Sequence, residues 1–156
     1  MLQKNWRAYV WFALTLAFMA LIFLKSAEPY AQQDLKPKLA AWISASALER
    51  WLPHIEFYYD HDLVTWKQPY GMLEFFIRKA AHVSEYAILT FLWIRTLAYT
   101  SLTRCKILLA SACIALLYAA SDEWHQTFVP GRTGHPIDVA VDSLGIALIV
   151  LIGKSA

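Results

Sequence analysis

Three separate stretches of the chain carry titratable residues at helical spacing. "RKAAHVSEYAIL" (78–89) sets His82 three residues before Glu85, "LYAASDEWHQ" (117–126) sets Asp122 three before His125, and "PIDVAVDSLG" (136–145) sets Asp138 four before Asp142. Residues three or four apart share a helix face. Lys79, His82, Glu85 and Tyr86 therefore form one stripe, Tyr118, Asp122, His125 and Gln126 a second, and Asp138, Asp142 and Gly145 a third, with Gly145 permitting close helix approach. A carboxylate that orients or charges a histidine is what general acid–base work requires, which makes His82, Glu85, Asp122 and His125 the catalytic candidates. The metal alternative joins both histidines to Asp122 or Asp138 around zinc or manganese, without any HExxH-like spacing to support it. No Ser or Cys stands in a nucleophile context; Ser84, Ser121 and Ser143 read as helix-packing residues. Arg132, in "VPGRTGHP", offers a planar fork that fits phosphate or carboxylate; its alternative is pairing with Asp122, Glu123 or Asp138.

The elements that must position these groups are membrane helices. Of 156 residues, 58% are hydrophobic and only 17% charged, an apolar excess beyond that of ordinary soluble domains. Aromatics make up 15%, with seven Trp and eight Tyr, as expected of a chain with many residues at the bilayer boundary. Trp124 and Tyr86 read as such belt anchors. A net charge of +2 gives no basic footprint for nucleic acid. The run 8–24 is free of charge and reads as an uncleaved anchor, because "LKSAEPYAQ" lacks small residues at the positions a signal peptidase needs. The other apolar runs, 107–121, 143–153 and 86–94, fall short of the roughly 17–20 residues a span requires. Each reaches that length only by taking in its polar stripe. Spans of 79–99, 107–126 and 137–153 follow, giving one domain, an all-α bundle of four transmembrane helices.

Lys4 and Arg7 before the first span, Arg104 and Lys106 in the loop after the second, and Lys154 after the last predict cytoplasmic N- and C-termini. The 26–78 connection then lies outside. Within it, 34–52 reads as an interfacial helix with Asp34 as N-cap and Pro37 in the first turn, and 53–71 as an aromatic, polar loop. Under this topology all three stripes end at one membrane face. Arg95 should snorkel to the other. Cys105 and Cys113 would lie about 12 Å apart on one helix, too far for a disulfide; they read as a loop residue and a small core residue.

Five carboxylates (Glu85, Asp122, Glu123, Asp138, Asp142) face three cations (Arg78, Lys79, Arg132) in this region. Solvation of Glu123 and Asp138 is the first expected relief.

"RKAAHVSEYAIL", "SDEWHQTFVPGRTGHPIDVAVDSLG" and "IFLKSAEPY" resemble the signature blocks of the VanZ-like family, small bacterial membrane proteins named after a teicoplanin-resistance protein. The resemblance runs from about residue 20 to 150. It implies a polar site of His82, Glu85, Asp122 and His125 with Lys79, Tyr86, Glu123, Gln126, Arg132, Asp138 and Asp142 around a substrate. Asp142 stands where relatives often carry Asn, and "TGHP" around His135 departs from their pattern. An outward-facing pocket in the bacterial cytoplasmic membrane is expected to bind or modify a membrane lipid or lipid-linked envelope component, in relatives linked to glycopeptide resistance. No resident cofactor is evident beyond the divalent metal already weighed. The alternatives are a small proton- or ion-coupled transporter and a non-catalytic membrane scaffold.

Overall fold

The computed structural model describes residues 2–155, with side chains from Trp6 to Lys154; Lys4, counted above in the charge pattern, has no described side chain. Seven helices and one hairpin follow in the order α1 (Leu2–Ser26), α2 (Tyr30–Gln33), α3 (Lys36–Trp42), α4 (Ala45–Trp51), β1 (Glu56–Tyr59), β2 (Asp62–Thr65), α5 (Pro69–Leu97), α6 (Arg104–Gln126) and α7 (Pro136–Ser155). By length and composition three segments are able to cross a membrane: Trp6–Ser26, Arg104–Gln126 and Pro136–Lys154. These contain the expected spans 8–24, 107–126 and 137–153. Helix α5 is the longest at 29 residues, but its Glu74, Arg78, Lys79, Glu85 and Arg95 set it apart from the apolar three. It begins ten residues before the expected 79, at Pro69, which suits a first helical turn because its missing N–H has no partner to lose there.

The most charged helix is also the central one. α5 packs on α1, α6 and α7, and also contacts α3, α4 and β2. The core gathers Ile22 of α1, Tyr86 and Leu89 of α5, Ala115 and Ala119 of α6, and Ile146 of α7. Gly145 sets the α5–α7 distance: a Cβ there would lie 2.0 Å from the Val83 carbonyl oxygen and 3.0 Å from the Ala87 nitrogen. Hydroxyls tie α1 to α5 and α6. Thr15 meets Thr96 at 2.9 Å, and Tyr118 donates to the Met19 carbonyl at 2.6 Å. At the far end from the polar stripes, Arg104 donates its Nε to the Gly153 carbonyl at 2.9 Å, satisfying a terminal acceptor of α7.

The loop after α1 departs from the expected single interfacial helix. Ser44 breaks it, accepting a hydrogen bond from the Ala47 N–H as N-cap of α4. Asp34 caps no helix end in the manner expected, although its carboxylate accepts from the Lys36 N–H at 2.9 Å, and Pro37 does lie in the first turn of α3. Trp42 and Trp51 remain more than 80% exposed on these two helices. The fold is also not purely α. "EFYY" and "DLVT" pair antiparallel with Phe57 opposite Val64 and Tyr59 opposite Asp62. Asp60 turns the chain at φ 55, a left-handed conformation that Asp tolerates better than most residues. β-branched and aromatic residues favour such pairing, and Phe57 and Tyr59 pack edge-on against Phe75 of α5 at 5.7 and 5.0 Å.

Several smaller expectations also shift. Arg104 and Lys106 lie in the first turn of α6 rather than in the preceding loop. Cys113 is exposed rather than in the core, and both cysteines are free. Ser84 and Ser121 are exposed, and with Ser143 they bond back to carbonyls of their own helices instead of a neighbour. Arg95 sets its guanidinium over the Trp11 ring at 5.0 Å.

Candidate functional site

The α5 stripe meets α7 over two turns. Lys79 donates to Asp138 at the outer turn, and one turn further His82 brings Nδ1 to 3.4 Å from Oδ1 of Asp142. Asp138 also accepts from the Tyr59 hydroxyl, and the Lys79 ammonium lies 4.3 Å from the Tyr59 ring centroid. Burial first, and the Asp138 hydrogen bond second, push the Tyr59 hydroxyl above the usual tyrosine range, so it stays a donor. Asp142 is fully buried, and neither of its oxygens has a hydrogen-bond partner; the same holds for His82 Nδ1 and the Tyr86 hydroxyl. The His82–Asp142 contact is thus an ion-pair approach without hydrogen-bond geometry.

α6 supplies the third side. Gln126 donates to Asp122 at 2.9 Å and to Glu123 at 3.3 Å, and its amide oxygen accepts from Arg132 at 2.6 Å. Glu123 further accepts the His135 N–H at 3.0 Å. Gly134 makes that approach feasible, since a Cβ there would sit 2.0 Å from the Glu123 carbonyl oxygen. Glu123 and Asp138 are buried, at 4% and 6% exposure, which overturns the expectation that solvent relieves them. Backbone and side-chain donors do so instead.

Arg132 does not pair with Asp122, Glu123 or Asp138. Its fork rests on two neutral acceptors, the Gln126 amide oxygen and the Gln33 amide oxygen at 2.9 Å. Burial, then the neighbouring Arg78 charge, lower its pKa from the usual arginine range, but a guanidinium still stays cationic. Arg78 is held differently, by Glu74 at 3.1 Å and by the Gln33 carbonyl at 3.0 Å. Glu74 also receives the Tyr30 hydroxyl and the Leu35 N–H, both at 3.1 Å.

Two cavities meet at His82, Arg78, Gln126 and Arg132. One, of about 290 Å³, lies toward α1 and takes in Ile22, Lys25, Glu85 and Asp122. The other, of about 410 Å³, lies toward the hairpin and takes in Tyr30, Lys79, His135 and Asp138. Among the described residues one group of potential metal ligands is compact: His82, Glu123 and Asp142, with ligand atoms all within 4.8 Å of one another.

His125 stands apart. Its ring stacks on Phe23 of α1, centroids 4.5 Å apart, and it lines neither cavity. The expected site holding both His82 and His125, and the two-histidine metal set, are not what the helices bring together. Position 125 lies about 100° around the helix from Gln126 and about 60° from Asp122, and that offset turns the ring onto α1. Tyr86 is likewise no belt anchor but a fully buried core residue, whereas Trp124 is 69% exposed. Gln33, Glu74, Tyr59 and Asp60 were missed by sequence reasoning. Glu74 alone had a signal, lying four residues before Arg78 on what proves to be the same helix. His135, left without a role, anchors the hairpin turn, with Nδ1 2.5 Å from Asp60 and Nε2 2.6 Å from the Thr133 hydroxyl.

No curated protein and no solved structure matches this chain. The family model described as VanZ/LLP1 matches residues 11–155, nearly the whole length and all three polar stripes. With three helices apolar enough to span and that match across them, the chain is a membrane protein that belongs to the VanZ/LLP1 family.

Proposed function

We propose that this protein binds the anionic headgroup of a membrane lipid, or of a lipid-linked envelope component, in the recess around Arg132. The observation that carries the reading is the state of that guanidinium. It lines both cavities, and among the described residues no carboxylate lies within ion-pair distance of it. A phosphate would therefore meet a cation that no ion-paired carboxylate neutralises, and its oxygens match the two parallel N–H donors of the guanidinium fork. Ile22 and Ile77 line the α1 side of the same recess, so apolar surface adjoins the anion site as a lipid requires. His82, Glu85 and Asp122 border it as proton donors and acceptors for any modification of the bound headgroup.

In this reading α5 is the fourth span. Lys79 and His82 are turned to Asp138 and Asp142, Glu85 to the recess, and Arg95 to the Trp11 face, the inward placement that makes ionisable residues tolerable in a membrane. Arg104, Lys106 and Lys154 gather at the opposite end from the recess, a distribution of basic residues that supports a cytoplasmic end there and an outward-facing recess. Among the described residues, the buried polar side chains toward the cytoplasmic end are the hydroxyls of Thr15, Thr90 and Ser111. The absence there of a buried carboxylate or histidine weighs against a transporter, which needs ionisable groups along its path.

Native mass spectrometry of the purified chain with phosphatidylglycerol and phosphatidylcholine tests the reading. The anionic lipid should be retained preferentially, and Arg132→Gln should lower its occupancy at least about ten-fold, the loss of one charge-assisted contact. Equal retention of both lipids, or an unchanged Arg132→Gln, refutes it. Comparing the lipids, cell wall and teicoplanin susceptibility of cells with and without the gene would then identify the envelope component.

A further inference from the structure

We propose that His82, Glu123 and Asp142 hold a divalent cation, zinc or manganese by ligand class, bridging α5, α6 and α7. The donors come from three different helices, and their ligand atoms lie within 4.8 Å of one another. The 3.4 Å between His82 Nδ1 and Asp142 Oδ1 matches the edge of a tetrahedron whose ligands stand about 2.1 Å from its centre, about 3.4 Å. One imidazole and two carboxylates suit zinc or manganese, and the lack of thiolate argues against softer ions.

The independent observation is the unmet demand at the centre of this cluster. Asp142 has no exposed surface, and both its oxygens and the facing His82 Nδ1 lack hydrogen-bond partners. Leaving a carboxylate so buried, with one imidazole at 3.4 Å and no hydrogen bond to either oxygen, costs several kcal/mol. Beyond His82, the nearby lysine and arginines do not relieve it. Lys79 is spent on Asp138, Arg78 on Glu74, and Arg132 on two amide oxygens. A cation between Asp142, Glu123 and His82 removes that cost directly.

Glu123 is already oriented as a ligand should be. Its oxygens receive the His135 N–H and the Gln126 amide, the kind of outer support that fixes a coordinating carboxylate. His82 keeps 17% of its side chain exposed and lines both cavities, so an ion has a route in. The set differs from a two-histidine centre, since His125 faces Phe23.

The test uses the full chain purified in detergent, stripped with EDTA, titrated with zinc chloride or manganese chloride and passed through gel filtration before elemental analysis. About one equivalent should remain per chain, and Asp142→Asn, His82→Asn and Glu123→Gln should each weaken retention at least roughly ten-fold. His125→Ala should keep the ion. Less than about a tenth of an equivalent on the wild-type chain, or equal retention by the three ligand variants, overturns the proposal. If those variants do not fold, pulsed electron paramagnetic resonance of manganese on the wild-type chain decides. Modulation from a coordinated imidazole nitrogen is the expected result, and its absence overturns the site. Occupancy is read without added lipid, so failure here leaves headgroup binding standing, and failure of headgroup binding leaves the ion.

Discussion

Asp142 Oδ1 stands 3.4 Å from His82 Nδ1, two titratable atoms on adjoining helices that approach without completing a hydrogen bond. Each is the other's nearest charge relief. Removing His82 alone should destabilise the metal-free protein by about 3–5 kcal/mol, because it strands a buried carboxylate. Asp142→Asn should be far milder, and the pair His82→Ala with Asp142→Asn should recover much of the loss. Thermal or denaturant unfolding of the four proteins, combined as a double-mutant cycle, gives the coupling; additive effects would mean that the two side chains act independently.

Lys79, Asp138 and Tyr59 form the link between α5, α7 and the hairpin. Lys79→Met leaves Asp138 buried with one neutral donor and should cost about 3 kcal/mol or more. Tyr59→Phe removes a single hydrogen bond and should cost about 1–2 kcal/mol. Limited proteolysis between residues 53 and 68 adds a positional readout, because detaching the hairpin from Asp138 should expose that segment faster in both variants than in wild type.

Gly145→Ala tests the contact between α5 and α7. Its Cβ would lie 2.0 Å from a backbone oxygen, and no side-chain rotation relieves a clash with backbone. The helices must separate, with a cost of at least about 1–3 kcal/mol. The yield of monodisperse protein should fall, and Gly145→Leu should abolish it. A normal Gly145→Leu would show that α7 does not sit against Val83.

His125→Ala should leave headgroup retention within about two-fold of wild type, a change worth under 0.5 kcal/mol. The ring contacts Phe23 rather than either cavity. The matching change at His82 should not be silent. If His125→Ala removes binding while the protein stays folded, the recess extends to α1 in a way the stacked ring does not allow.

How far the sequence could be read depended on the kind of signal each segment carries. Apolar runs and helical spacing located α1, α6 and α7 within a few residues, because burial in hydrocarbon and the 3.6-residue turn leave little freedom. They also brought His82 and Asp142 to the same depth. Spacing within one helix does not fix which neighbour a face meets, and so His125, expected in one site with His82, turns instead onto Phe23. The hairpin was illegible for a different reason. Two four-residue strands offer too little alternation to outweigh an aromatic loop, and the bonds of Tyr59 to Asp138 and of Asp60 to His135 join residues 79 and 75 positions apart. Gln33 carries no local signal at all. Its importance comes from bonds to Lys25 and Glu28 close by and, above all, to Arg78 and Arg132, 45 and 99 residues along the chain.

The central place of α5 has a consequence for biogenesis. It leaves the ribosome before α6 and α7, yet the partners of Lys79 and His82 are residues 138 and 142. For some sixty residues of further synthesis, several seconds at ordinary translation speed, those α7 partners are not yet made. With α5 as the proposed fourth span, the nascent chain is expected to hold it at the insertion machinery or the membrane surface until the last helix arrives.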